Sequence, residues 1–202
     1  MKNSIPPTAN INDALSQLGY KFQTMSPSIR PISDVPVRGS AYTVNCYAGA
    51  TYAVEEAVEK ASPGDVLVVY GESYPGGVLM GGLLSRRAKS RGIAGAIIDG
   101  AVRDIKEVQK MNWPFYAVHV TPRNGTHDRI GQNQIPISCG GVVVNPGDMI
   151  VADSDGVVCI PVGILDEALS TARKIEEREN FITEAIDSGL SISEAVEKFN
   201  QK

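Results

Sequence analysis

Residues 81–104 read GGLLSRRAKSRGIAGAIIDGAVRD, and no other stretch restricts the fold of this 202-residue chain so strongly. Leu83 to Arg91 carries helical spacing and runs into Gly92, a residue suited to a left-handed C-terminal cap. Ala94 to Ile98 follows as a short apolar run with no polar face, which predicts a strand covered on both sides. Such a strand belongs at the centre of a sheet, and its C-terminal end opens into the crevice where open α/β sheets bind ligands. Arg103 and Asp104 come directly after it, so a guanidinium and a carboxylate reach a sheet edge side by side.

The rest of the chain supports an α/β reading. Ala9 to Leu18 has helical spacing, with Asn10 or Asn12 as N-cap and Gly19 as its close. Ser33 to Val44 is extended chain interrupted by prolines, and Thr51 to Lys60 is helical. Val66 to Val69 is too short and too β-branched to be other than a strand. Asp104 to Met111 forms a short helix and Phe115 to Thr121 returns as a strand, so the middle third alternates in the manner of a partly parallel sheet. Pro136 to Val144, Met149 to Ala152 and Val157 to Ile160 are short strands divided by Asn-Pro-Gly-Asp and Asp-Ser-Asp-Gly turns. Two amphipathic helices, Leu165 to Ile186 and Ile192 to Phe199, close the chain. A boundary at 162/163 separates a domain of residues 1–162 from helices at 163–202, which pack on their own or a neighbouring subunit.

Composition removes several classes of function. A net charge of −4 without a basic run argues against a nucleic-acid surface. No apolar stretch approaches the roughly 20 residues that span a bilayer, and the start MKNSIPP lacks the apolar core of a signal peptide, which points to a cytoplasmic protein. Cys46, Cys139 and Cys159 form no Cys-x-x-Cys pair and leave an odd one over, so a disulfide framework is not indicated. Cys159 reads as a buried hydrophobe in VVCI, whereas Cys139, before Gly140-Gly141, leaves both that reading and a nucleophile standing. His119 falls in a strand as a structural residue, His127 in a polar, exposed loop, and no His-x-x-x-His spacing or Gly-x-Ser-x-Gly elbow is present. A metal in this chain would be held by oxygen and water. Nor does a glycine-rich strand-to-helix turn with a downstream ribose-binding acid support an adenosyl-dependent methyltransferase.

The chemistry concentrates in Asp99-Gly100-Ala101-Val102-Arg103-Asp104 and in the glycine-rich stretch from Tyr74 to Gly82 that runs into a helix. Gly100 suits a turn, Arg103 offers a paired hydrogen bond to a carboxylate, and Asp104 either caps its helix or coordinates a hard divalent cation. The competing account is a surface Arg/Asp pair with a helix cap. Uncovered amides at the helix start after Gly81 and Gly82 are a second anion donor. Two independent donors for one carboxylate make a constellation.

The blocks GIAGAIIDGAVRD at 92–104, ISCGGVVV at 137–144, PGD at 146–148 and ADSDGVV at 152–158 resemble, in that order, the RraA-like family, over roughly Pro36 through Glu179. That family includes metal-dependent aldolases acting on 4-hydroxy-4-methyl-2-oxoglutarate, oxaloacetate decarboxylases, and regulators that bind ribonuclease E and RNA helicases. The resemblance implies a three-layer β/β/α domain assembled as a homotrimer or homohexamer, with sites between subunits. It implies that Asp104 coordinates Mg2+ or Mn2+ and that Arg103 binds the carboxylate or oxo group of a small 2-oxo acid. It further implies that the amides of Leu83 and Leu84 grip a carboxylate, and that Glu179 of a neighbouring subunit meets the metal's water. The implied activity is a class II lyase reaction, retro-aldol cleavage or decarboxylation, through a pyruvate enolate whose charge the cation stabilises. The aldolases carry an acid where Gly82 stands here, which weakens the proton-transfer part of that inference. Two alternatives stand beside it: a non-catalytic regulator, against which Asp104 itself argues, and a metal enzyme whose different substrate enters the space over Gly82.

Overall fold

The computed structural model describes residues 5–201. Of the polar N-terminal start, Met1 to Ser4 lie outside the described residues. In chain order the elements are α1 (Thr8–Gln17), β1 (Arg30–Ser33), β2 (Val37–Asn45), α2 (Tyr52–Lys60), β3 (Val66–Tyr70), β4 (Val78–Met80), α3 (Gly82–Ser90) and β5 (Gly95–Val102). They continue with α4 (Ile105–Lys110), β6 (Phe115–Val120), β7 (Gln132–Asn133), β8 (Ile137–Cys139), β9 (Val142–Val144), β10 (Met149–Ala152), β11 (Val157–Ile160), α5 (Leu165–Asp187) and α6 (Ile192–Asn200).

Phe22–Gly163 form one compact unit. Its main sheet runs β1-β6-β5-β3-β2-β10-β11, with β4 added to β5 and β7 to β2. The inner strands β2, β3, β5 and β6 are parallel, whereas β1, β10 and β11 join antiparallel at the edges. Every residue of β5 is buried, as expected of a strand covered on both faces. One face carries Leu67, Val69, Ala96 and Ile98 into a core with Val54, Val58 and Ala88 of α2 and α3 and Val108 of α4. The other carries Val66, Val68 and Ile97 into a core closed by Ile137, Cys139, Val142 and Val144 of the β8-β9 hairpin. Hairpin, sheet and helices make the three layers of a mixed α/β domain.

Four local expectations need revision. The strand after Gly92 does not end at Ile98 but continues to Val102, because β4 and β6 take up its outer backbone groups through Val78↔Ala101, Ala101↔His119 and Val102↔Val120. Asp99 and Gly100 are therefore inside the strand. Gly100 makes no turn; Leu79 Cδ1 lies 2.7 Å from where its Cβ would be. The glycine-rich stretch runs into the helix at Gly82 as expected, with its residues Val78–Met80 forming the buried strand β4 on the way. Residues 136–144 are a hairpin that folds back at Gly140-Gly141, pairing Ile137 with Val144. Finally, neither Asn10 nor Asn12 is the N-cap of α1, a position taken by Pro7.

Among the described residues, those up to Lys21 and those from Ile164 onward form the second compact unit. Helix α1, expected with the sheet, belongs here instead: its apolar residues Ile11, Ala14 and Leu15 are fully buried, as are Ala168 and Ala172 of α5. Phe181 and Phe199 join α5 to α6, ring centres 5.5 Å apart, and Ser191 and Glu194 form a reciprocal capping box at the start of α6. No described helix is long and apolar enough to cross a membrane.

Candidate active site

Asp104 stands at the N-cap of α4 with φ 61° and ψ 37°. Left-handed backbone costs an ordinary L-residue roughly 1–2 kcal/mol, and aspartate is among the few side chains that adopt it readily. That conformation decides where the carboxylate goes. It makes no capping bond to α4. Instead Oδ2 accepts from the backbone N–H of Gly82, the first residue of α3, at 2.9 Å. Asp104 therefore does act as a helix cap, but for the neighbouring helix, and among the described residues its Oδ1 takes no hydrogen bond.

Arg103 is fixed by its backbone, whose N–H donates to the Met80 carbonyl at 3.2 Å. Its Nε lies 3.6 Å from Asp104 Oδ2, and its Nη1 donates to Asn124 Oδ1 at 2.7 Å. Both side chains of the Arg103–Asp104 pair are about two-fifths exposed, so the pair contributes at most about 1 kcal/mol to stability. It orients the guanidinium more than it holds the fold. An arginine has five N–H donors, so the bond to Asn124 leaves capacity for an anion.

These groups line a cavity of about 410 Å3, bordered by β4, the start of α2, the start of α3 and the loop around Gly125. Gly81, Leu83, Leu84, Arg103 and Asp104, all singled out from the sequence, are brought together in its wall. Gly82 adjoins it through its hydrogen bond to Asp104. The Leu83 and Leu84 amides belong to the first turn of α3, where no preceding carbonyl is available to them. Glu179 is elsewhere in the chain's architecture: it lies on α5 in the helical unit, where Asn10 Nδ2 donates to its carboxylate.

The space over Gly82 is not open. A Cβ there would lie 2.6 Å from Glu107 Oε2 and 3.1 Å from Asp104 Cβ. Glu107, one turn into α4, thus brings a second carboxylate to the point where a side chain at position 82 would begin. Sequence reading missed it because i and i+3 neighbours on a helix meet only once the helix start is known.

It also missed Thr51, Glu55, Asn124 and His127, which complete the cavity wall. His127 is exposed, as expected, yet it is not idle: its Nδ1 lies 3.3 Å from Glu55 Oε1 and 3.2 Å from Thr51 Oγ1. Thr51 and Glu55 are one helical turn apart, a visible spacing, but nothing local announces their meeting with His127. His119 pairs through Nε2 with the Ser73 carbonyl at 3.0 Å, the structural role expected of it. The three cysteines are free and buried. Burial pushes the Cys46 thiol up to about 12 and raises Cys139 and Cys159 well above the ordinary range, so none offers a thiolate nucleophile at neutral pH.

Among the described residues no three His, Cys, Asp or Glu side chains converge as a metal cage. That donor set does not suit zinc, which wants three or four protein ligands. It does suit Mg2+ or Mn2+, hard cations that keep several waters and bind through one or two carboxylates. Asp104, with an unengaged oxygen and Glu107 nearby, fits that requirement.

Comparison with known proteins shows the family. The RraA-like family profile, described as Aldolase/RraA, matches residues 8–159. The chain is 37% identical over 194 residues, 95% of its own length and 90% of the other's, to a Halalkalibacterium halodurans protein provisionally named a 4-hydroxy-4-methyl-2-oxoglutarate aldolase. An uncharacterized Pseudomonas syringae protein of solved structure superposes with a TM-score of 0.84 at 29% identity, covering 94% of this chain and 92% of that one. The RNA-processing inhibitor RraA of Thermus thermophilus superposes with a TM-score of 0.68 at 28% identity, covering 74% and 92% respectively. With the profile spanning most of both the sheet and the site residues, the chain belongs to the RraA-like family.

Proposed function

We propose that this protein is a divalent-metal-dependent lyase that breaks a carbon–carbon bond in a small 2-oxo or hydroxy dicarboxylic acid, by retro-aldol cleavage or decarboxylation. The observation that carries the reading is Asp104: a left-handed residue whose carboxylate is held by the Gly82 amide, with one oxygen unengaged, next to Arg103 in the wall of a cavity. A non-glycine residue in left-handed backbone that places one polar group in a cleft is the pattern of a functional residue. The name of the Halalkalibacterium halodurans relative supports the same substrate class.

Asp104, with Glu107 beside it, would hold Mg2+ or Mn2+. Bound there, the cation would supply Lewis-acid stabilisation of the negative charge that develops on the 2-oxo group. Arg103 would pair with the substrate carboxylate in a bidentate contact, which orients the acid as well as attracting it. The Leu83 and Leu84 amides, aided by the positive end of α3, would bind the adjacent oxygen atoms. Val78, Leu79 and Met80 form the apolar side of the cavity and limit water around the reacting carbon. The proposal includes a cytoplasmic homotrimer or homohexamer in which Glu179 serves a neighbouring subunit's site. Light scattering of the purified chain measures that assembly.

The direct test is pyruvate release from 4-hydroxy-4-methyl-2-oxoglutarate and from oxaloacetate, with Mg2+ or Mn2+ and after chelation. Turnover that needs the metal and is lost in Asp104→Ala is the expected result. No turnover with either metal, together with chelator-insensitive capture of a ribonuclease or RNA helicase, would transfer the cavity to the regulatory reading.

A further inference from the structure

We propose that His127, with Glu55 behind it, is the acid–base residue of this cavity. The inference rests on the lyase reading and adds the proton chemistry that reading lacks.

The cavity wall contains four side chains that carry or can take a charge: Glu55, Arg103, Asp104 and His127. Arginine does not give up its proton in a protein, Asp104 accepts from the Gly82 amide, and on the lyase reading Asp104 and Glu107 together are committed to the cation. Proton transfer therefore falls to the Glu55–His127 pair. The hydrogen-bond pattern determines which imidazole nitrogen is available. Thr51 Oγ1 has a single hydrogen and lies 2.7 Å from Glu55 Oε1 and 3.1 Å from the Thr126 carbonyl, both of which only accept. That hydrogen goes to one of them. Nδ1 of His127, facing Thr51 Oγ1 and Glu55 Oε1, must then be the donor. The proton on Nδ1 leaves Nε2 as the basic atom, and Nε2 has no hydrogen-bond partner among the described residues. A carboxylate behind Nδ1 sets the tautomer and stabilises the imidazolium that forms when Nε2 takes a proton.

The backbone of the residue before His127 is tied through both its amide and its carbonyl. Thr126 N–H donates to the Gly49 carbonyl at 2.7 Å and Thr51 N–H donates to the Thr126 carbonyl at 2.9 Å. Gly125, before them, is packed so closely that a Cβ would lie 2.2 Å from the Val78 carbonyl. Only glycine permits that approach. The same loop supplies Asn124 to Arg103, so the groups that bind the anion and those that move the proton share one rigid support.

For a 4-hydroxy-2-oxo acid the steps balance. Nε2 takes the 4-hydroxyl proton and the C3–C4 bond breaks. C4 becomes the new carbonyl, and the electron pair stays on C3 as the enolate of the 2-oxo fragment. The imidazolium then returns the proton to C3, giving the methyl group of pyruvate and restoring His127. Glu55 touches no reacting atom and acts as a positioning residue.

The test uses the full chain with Mg2+, 4-hydroxy-4-methyl-2-oxoglutarate as substrate, and two readouts besides turnover: exchange of pyruvate methyl hydrogens in D2O, and the ring Cε1–H resonance of His127. The chain has two histidines, so a His119→Gln variant, outside the cavity, assigns the signals and serves as the unaffected control. His127→Gln is expected to lower kcat by about 100-fold or more with KM within about 2-fold, and to abolish methyl exchange. Glu55→Gln is expected to lower kcat by a smaller factor, again with KM retained. Added pyruvate is expected to shift the His127 resonance and leave that of His119 in place. If wild-type protein cleaves substrate and His127→Gln does so equally well, the inference fails while the lyase reading stands. A wild-type protein that shows no metal-dependent cleavage and no pyruvate-induced shift overturns both.

Discussion

Asp99 and Asp104 stand five residues apart and are opposite cases of what a sheet does with a carboxylate. Asp99 lies within β5 at 5% exposure, receives the Ser73 hydroxyl on one oxygen and the Gly140 amide on the other at 3.0 Å, and so ties the sheet to the hairpin turn. Asp104 lies past the strand end with a 43% exposed side chain, in left-handed backbone, with one oxygen engaged and the other not. A buried carboxylate survives only if its lone pairs are satisfied, so Asp99 is spent on structure. An exposed one held in an uncommon conformation adds little stability and is available to a ligand. Identical side chains in one short segment are thus divided between architecture and chemistry by the two neighbouring strands that do or do not continue alongside them.

The largest expected effect tests the second half of that contrast. Asp104→Ala should reduce metal-dependent kcat/KM by on the order of 10²-fold or more, the scale of losing one preorganised charge-stabilising group. Its denaturation midpoint should stay near wild type. Asp99→Ala should do the reverse, lowering stability by about 3 kcal/mol because two buried donors lose their acceptor, as read from urea unfolding. Should Asp104→Ala unfold as readily as Asp99→Ala, the division between the two aspartates is wrong.

Arg103→Lys sharpens the comparison on the ligand side. A point charge in place of a planar fork should raise KM by about 10-fold with a smaller change in kcat, measured by steady-state kinetics. The smallest effect concerns burial itself. Cys46 is raised from its ordinary 9.0 up to about 12 by desolvation, so the folded protein holds that proton more tightly than the unfolded chain. Its contribution is complete below pH 9 and is lost as pH rises from 9 towards 12, as the unfolded thiol ionises first. Unfolding free energy at pH 10 should therefore fall by about 1 kcal/mol per such thiol relative to pH 8, and Cys46→Ala should flatten that dependence.

Much of this was legible before any coordinates. The central strand followed from an apolar run with no polar face, and the helices from their spacing and from Gly92, which adopts φ 79° after α3. Arg103 and Asp104 stood out because charge follows that run directly. Gly81, Leu83 and Leu84 were found as the start of a helix with uncovered amides. The continuation of β5 through Asp99 and Gly100 was not legible, because the partners that complete it are β4 and β6, on either side in the sheet but not in the sequence. Nor was the carboxylate of Glu107 above Gly82, or the meeting of Thr51 and Glu55 with His127, which lies far away in the sequence, 76 positions from Thr51.

The sequence alone determined which segments are strands and helices and which residues are charged at the end of a buried strand, since periodicity and turn chemistry act over a few neighbours. Only the tertiary structure decided what each charge does. A carboxylate becomes a structural acceptor, a helix cap or a ligand according to the donors that distant segments bring to it, and the free energy of burying or exposing it is set by those donors and not by its own side chain.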